Sequence, residues 1–242
     1  MPGGAMSALL LRVFSELGGG SVPPEPGGVN AAGFGVPVLL LGPPGCRKSG
    51  LLFMAAVLAA EEGAGPVVFL SRESLQEVPR GGRAARDPLI LKKIRFVYPP
   101  SLRELLHFFS CLHEASPFPS LIMVDGLERY LPSTASLTDG AHLSALMLDS
   151  ASHLRCGLIV SAVPNSDGSD CAFTAVERYF PNQCLLCPVM SAETEERQFR
   201  VSFPSPHLQW NLHVEQDGGL RISLTASSQE DKSPNSEAED KT

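Results

Sequence analysis

The stretch "VPVLLLGPPGCRKSG", Val36 to Gly50, decides the fold. Its first half is a continuous apolar run, as expected of a strand covered on both faces. Its second half is one residue away from the phosphate-binding pattern G-x-x-x-x-G-K-[ST], with Arg47 where the second glycine belongs. The segment Ser49–Glu61 then reads as a helix, with Leu51, Leu52, Ala55, Leu58 and Ala59 clustering toward one side. Strand, glycine loop and helix in that order make Gly42, Pro43, Pro44, Gly45, Cys46, Arg47, Lys48 and Ser49 the candidate nucleotide-binding loop.

Such a loop needs glycines because its backbone N–H groups curl around an anion without Cβ clashes, and the following helix adds its positive N-terminal end. Lys48 is placed to neutralise β- and γ-phosphates, and Ser49 to give its hydroxyl to Mg²⁺. Arg47 stands against this, because its Cβ crowds the loop if the backbone there needs a positive φ. Asp125, ending the apolar "SLIMVD", supplies a carboxylate at a strand end, where it would orient water on the Mg²⁺ held by Ser49. Glu73 follows the strand Val67–Leu70 and is the candidate for polarising an attacking water, although "SRES" also reads as an ordinary polar turn. Glu128, three residues beyond Asp125, reads as a solvated side chain.

Outward from the loop, Ile94–Tyr98, Leu121–Val124 and Gly157–Val163 read as further strands. Ser101 and Glu104 form a capping box for a helix to about His113, and Thr138 or Asp139 caps a helix through Leu154. Repeated β-α units predict an α/β fold with a mostly parallel, doubly covered sheet. After Pro181 the pattern changes: Cys184–Val189, Gln198–Phe203 and Leu208–Val214 read as strands, and "EQDGGLRISL" as the turn of a closing antiparallel hairpin. Residues 1–32, rich in glycine and proline, read as a flexible leader carrying a short amphipathic helix. Residues 33–225 form the domain, and 226–242 an acidic, disordered tail.

The net charge of −7 argues against a nucleic-acid partner until its distribution is considered. Arg72, Arg80, Arg83, Arg86, Lys92, Lys93 and Arg95 face only Glu73, Glu77 and Asp87, while much of the acidity lies in the tail. No apolar run approaches the roughly 20 residues of a membrane-spanning helix, so no membrane association is expected. The N-terminal "SALLLRVFSELGGG" is broken by Arg12 and Glu16 and makes a poor signal peptide, so the six cysteines are expected to stay reduced. Cys184 and Cys187 lie three apart on a strand and face opposite ways, which makes them core cysteines rather than metal ligands. Phe53 and Ala56 spell F-x-x-A, but their apolar surroundings read as core packing.

Taken together, the loop "GPPGCRKS", the strand end "VFLSRE", the acidic strand "LIMVDGLE", the later "CGLIVSAVPN" and the closing "LQWNLHVEQDGGLRI" resemble the RecA-like recombinase paralogue family. The stretches "KIRFVYPPSLRELL" and "ERYFPNQCLL" are most similar to its SWIM-domain-associated, SWSAP-type branch. The resemblance covers about Val36 to Leu224. It implies a RecA-like P-loop core and an ATPase that uses ATP and Mg²⁺. Its implied partners are single-stranded DNA, a SWIM zinc-finger protein, and the recombinase with its paralogues, in a hetero-oligomer. Its implied place is the nucleus, in homologous recombination and repair of DNA damage. By the same resemblance Lys48, Ser49 and Asp125 take the phosphate, Mg²⁺ and Mg²⁺-water positions, and Glu73 the water-activating one. Val163-Pro164-Asn165 falls at a polar sensor, and Asn165–Cys171 at a second DNA-binding loop.

Three departures keep a second reading open. Arg47 replaces a glycine, Ser71 an acid near a strand end, and Asn165–Cys171 is acidic where the family is basic. The last moves the DNA expectation to Arg80–Arg95 with Phe96 and Tyr98, a cationic run followed by aromatics, which equally reads as a solvated linker. The alternative function is a non-hydrolysing P-loop scaffold that stabilises recombination partners. A small GTPase or nucleoside kinase is disfavoured by the absence of an N-K-x-D motif.

Overall fold

The apolar runs become strands because each is sealed on both faces. The computed structural model describes residues 8–17, 36–63, 65–75, 87–164, 170–189, 197–202, 209–215 and 219–225. Strands β1 (Val38–Leu41), β2 (Val67–Ser71), β3 (Ile94–Val97), β4 (Leu121–Asp125), β5 (Gly157–Ala162) and β6 (Gln183–Pro188) run parallel. Strands β7 (Arg197–Ser202), β8 (Gln209–Val214) and β9 (Leu220–Thr225) extend the sheet antiparallel. Among the described residues this is one nine-stranded sheet of order β3-β2-β4-β5-β1-β6-β7-β8-β9. The expected closing hairpin is β8 with β9, the end of an antiparallel ribbon that continues from β6 through β7.

The period-2 alternation of strands divides the core. Val38, Leu40, Val67, Phe69, Leu121 and Met123 face one side, while Leu39, Leu41, Val68, Leu70, Ile122 and Val124 face the other. The first side is covered by α2 (Lys48–Glu62), whose residues Leu51 to Ala60 are all buried, and by α1 (Ala8–Leu17). The second is covered by α4 (Leu102–Ser110), α5 (Leu137–Leu154) and α6 (Cys171–Tyr179). Burial all round α2 explains why its apolar residues are not confined to one stripe.

Helix α1 corrects the reading of residues 1–32 as a flexible leader. Leu10, Val13 and Phe14 are fully buried, the Phe14 ring lies 6.1 Å from that of Trp210, and Arg12 pairs with Glu62. The domain thus includes Ala8–Leu17. The rest of 1–32 and the tail 226–242 lie outside the described residues.

Helix starts follow local capping, with shifts of a few residues. Ser101 Oγ accepts from Glu104 N at 3.3 Å and opens α4 as expected. Helix α5 begins earlier than Thr138 or Asp139, because Ser136 is the cap and Asp139 closes the box: Ser136 Oγ accepts from Asp139 N, and Asp139 Oδ2 from Ser136 N. Two helices add to those expected. A short α3 (Pro88–Leu91) is capped by Asp87 with proline in its first turn, and α6 is capped by Asp170, whose carboxylate accepts from Phe173 N at 3.0 Å. At the α5–α6 contact, a Cβ on Gly140 would fall 2.0 Å from the Ala172 carbonyl oxygen, so only glycine fits there.

Candidate nucleotide-binding site

The loop between β1 and α2 has the shape a phosphate cradle needs. Gly42 donates to Ala162 O of neighbouring β5, which pins the loop's start at the C-terminal edge of the sheet. A Cβ on Gly42 would meet Cys46 Sγ at 2.7 Å and Leu186 Cβ at 2.9 Å, so the backbone passes where no side chain fits. Gly45 turns at φ 80°. Arg47 is the N-cap of α2 and sits at φ 61°, ψ 31°, in the left-handed region, with no side-chain cap bond. The missing glycine is therefore missing at a position whose backbone asks for one, and Arg47 adopts the glycine conformation regardless.

Lys48, in the first turn of α2, is only 8% exposed. Its ammonium donates to Gly42 O at 2.6 Å and Pro43 O at 3.1 Å and lies 3.7 Å from Cys46 Sγ. These bonds hold the charge against the inside of its own loop, beside the N-terminal amides of α2. Burial pushes the Cys46 thiol above its usual range, and the Lys48 charge partly offsets that. Ser49 is half-buried in the same turn.

Asp125 ends β4 and is 5% exposed. Its Oδ1 accepts from Ser161 Oγ at 2.6 Å, and Ser161 in turn accepts from Gly126 N at 3.0 Å. Gly126, at φ 71°, turns the chain sharply off the strand. A charged carboxylate at this depth needs such a donor, and Ser161 on β5 supplies it from between the β1 and β4 strands. Ser161 escapes the sequence reading; a serine inside the buried run "GLIVSA" is the signal that could have found it.

Glu73 lies two residues past Ser71, which pairs with Asp125 across β2 and β4, so it shares the loop's sheet edge. It is exposed and forms an ion pair with Arg129 at 3.1 Å, while Arg72 donates to Arg129 O at 2.6 Å. Glu128 differs from its expected solvated role: its Oε2 accepts from Val163 N at 3.1 Å and ties the exit of β4 to that of β5. Tyr130 is buried nearby without a hydrogen-bond partner for its hydroxyl among the described residues. Its pKa is pushed up to about 12, chiefly by burial, with Asp125 adding to the rise and Arg72 and Arg129 opposing it.

The residues fit a magnesium nucleotide. The glycine positions leave a cradle that a Cβ would fill, Lys48 places a cation inside it, and Ser49 and Asp125 supply the oxygen donors that Mg²⁺ takes. When bound, the ion supplies charge neutralisation and Lewis acidity at the phosphates. Cys184 is buried and Cys187 exposed on β6, so this pair does not converge. Phe53 and Ala56 are core residues of α2.

The expected DNA surface is only partly described, since Arg80, Arg83 and Arg86 lie outside the described residues, as do 165–169 of the acidic segment. Lys92, Lys93 and Arg95 are exposed on and before β3, and Tyr98 is 45% exposed. One residue is corrected. Phe96 packs inward, 5.5 Å from Phe69 and 6.5 Å from Phe53, so it is no platform for a base; Lys93 donates to Ala60 O at 3.1 Å and anchors β3 to α2.

No family model matches the chain. It is similar to ATPase SWSAP1 of Homo sapiens, at 41% identity over 203 residues, covering 78% of this chain and 89% of that protein. It is also similar to ATPase SWSAP1 of Mus musculus, at 37% over 213 residues, covering 82% of this chain and 76% of that one. Among solved structures, the flagellar accessory protein FlaH of Methanocaldococcus jannaschii superposes with TM-score 0.56 at 13% identity, covering 81% of this chain and 94% of that chain. That likeness bears on the fold alone, which is the RecA-like P-loop fold the sequence resembles.

Proposed function

The chain belongs to the SWSAP1 family of ATPases, and from that premise we propose that it binds ATP with Mg²⁺ in the β1–α2 loop and hydrolyses it in support of homologous recombination. In this reading it acts in the nucleus, on single-stranded DNA, in a hetero-oligomer with a SWIM zinc-finger protein, the recombinase and its paralogues. The observation that carries the nucleotide part is Lys48, buried inside its loop at a helix N-terminus, on the sheet edge that also holds buried Asp125. Lys48 neutralises phosphate charge. Ser161 fixes Asp125 for a cation's water, and Glu73, released from Arg129, takes the proton of the attacking water.

The second reading, a nucleotide-stabilised scaffold, is favoured by Arg47 in its left-handed conformation and by the Glu73–Arg129 pair, which holds the candidate base away from free use. Steady-state ATP hydrolysis by the purified chain with its SWIM partner, with and without single-stranded DNA, separates the two. DNA-stimulated turnover by the parent supports the ATPase. Turnover only after Arg47→Gly, with ATP binding already present, supports the scaffold.

A further inference from the structure

A second cation reaches the phosphate loop from a distant part of the sequence. Strand β6 runs parallel to β1 and continues past its end, with Leu41 opposite Leu185 and three further residues in the strand. Strand β7 returns antiparallel, with Phe199 opposite Pro188 and Gln198 O accepting from Val189 N, so its first residue, Arg197, lies on the phosphate-loop edge of the sheet. Alternation along β7 puts Arg197 on the same face as Phe199 and Val201, which join the α2 core, and Arg200 on the opposite face. The consequence is close approach: a Cβ built on Gly45 would lie 2.9 Å from Arg197 Nη1. Arg197 is exposed, and its guanidinium has no ion-pair or hydrogen-bond partner among the described residues.

We infer that Arg197 is a phosphate-binding residue supplied in cis, which makes the loop select the nucleoside triphosphate over the diphosphate. The inference rests on the loop being a nucleotide site. A guanidinium beside Gly45, together with Lys48 inside the loop, sets two positive charges around one phosphate cradle. The interaction strengthens with each negative charge on the ligand, so the triphosphate gains most. Gly45 gives the guanidinium room, since a side chain there would displace it. No second subunit is required.

The test is calorimetric titration of the full chain with Mg²⁺ and either ADP or the β,γ-imido analogue of ATP, for the parent and for Arg197→Gln, Arg197→Lys, Arg200→Gln and Lys48→Ala. Arg197→Gln is expected to weaken the imido analogue about tenfold, the low end for a charge-assisted bond at an exposed site. It should weaken ADP less, so that the affinity ratio falls. Arg197→Lys retains part of the preference, Arg200→Gln retains all of it, and melting temperatures stay equal. An unchanged analogue-to-ADP ratio in Arg197→Gln, with the parent binding and Lys48→Ala not, overturns this inference alone. A parent that binds neither nucleotide overturns it together with the nucleotide site.

Discussion

Arg47 holds a left-handed backbone that costs an L residue about 1 kcal/mol, and Arg155, at φ 52° on the C-cap of α5, holds another. Both Arg47→Gly and Arg155→Gly should therefore stabilise the fold by about 1 kcal/mol in urea titrations. Only Arg47→Gly should raise ATP turnover, because Arg155 caps α5 just before β5 begins, at the end of the strand remote from the loop. The strain at Arg47 was readable in outline, since the motif marks that position for glycine. The roles of Glu128 and Arg197 were not, because contacts with Val163 and with the loop at Gly45 join parts of the chain far apart in sequence, and Ser161 showed only as a serine in an apolar run, without its Asp125 partner 36 residues away. Buried thiols give a second residue-level expectation. Burial raises Cys156 from 9.0 to about 11 and raises Cys184 further. Between pH 9.0 and about 11 the unfolded chain ionises at Cys156 while the folded chain keeps its proton, so stability is full below that window and falls through it. The slope should be roughly 1.4 kcal/mol per pH unit for each thiol, and Cys156→Ala should remove one such contribution in denaturation measured across the window.

The elements were legible where periodicity and capping agree. Strands β1, β2, β4 and β5 read directly as apolar runs, and α4 from Ser101 and Glu104. Helix α6 was missed because its cap, Asp170, follows the polar stretch "NSDGS", which draws attention to a loop rather than to Ala172, Phe173 and Val176 beyond it. Phe96 carried the composition of a DNA contact, yet packing against Phe69 and against Phe53 of α2 turned it inward, an outcome that depends on tertiary neighbours and not on local pattern. The α5–α6 contact makes its own prediction. Gly140→Ala must separate two backbones that touch at this point, and it should lower stability by at least about 2 kcal/mol in thermal or urea unfolding. A decrease of less than roughly 0.5 kcal/mol, the scatter of neutral surface changes, would mean the helices sit farther apart.

At the scale of the whole molecule, one sheet brings the site together. Parallel strands deliver the phosphate loop, Asp125 and Glu73 to one edge, and the antiparallel return through β7 adds Arg197 to it. The parallel half was predictable from repeated β-α units, but the docking of α1 over β8 and β9 was hidden behind a glycine-rich connection. The exposed cations at the opposite flank, Lys92, Lys93 and Arg95, belong to the described part of the proposed DNA surface. Their joint change to alanine should weaken single-strand binding and flatten the log–log salt dependence by about 0.7 for each phosphate no longer neutralised, measured by anisotropy across salt. An unchanged slope would move DNA to another face. The central claim is that the loop with Arg47 in it still holds a nucleotide. Binding of ATP with Mg²⁺ to the purified chain, measured beside Lys48→Ala, tests this most directly. The account predicts saturable binding by the parent and none by Lys48→Ala at an unchanged melting temperature. Equal binding by the two, or none by the parent, would contradict it.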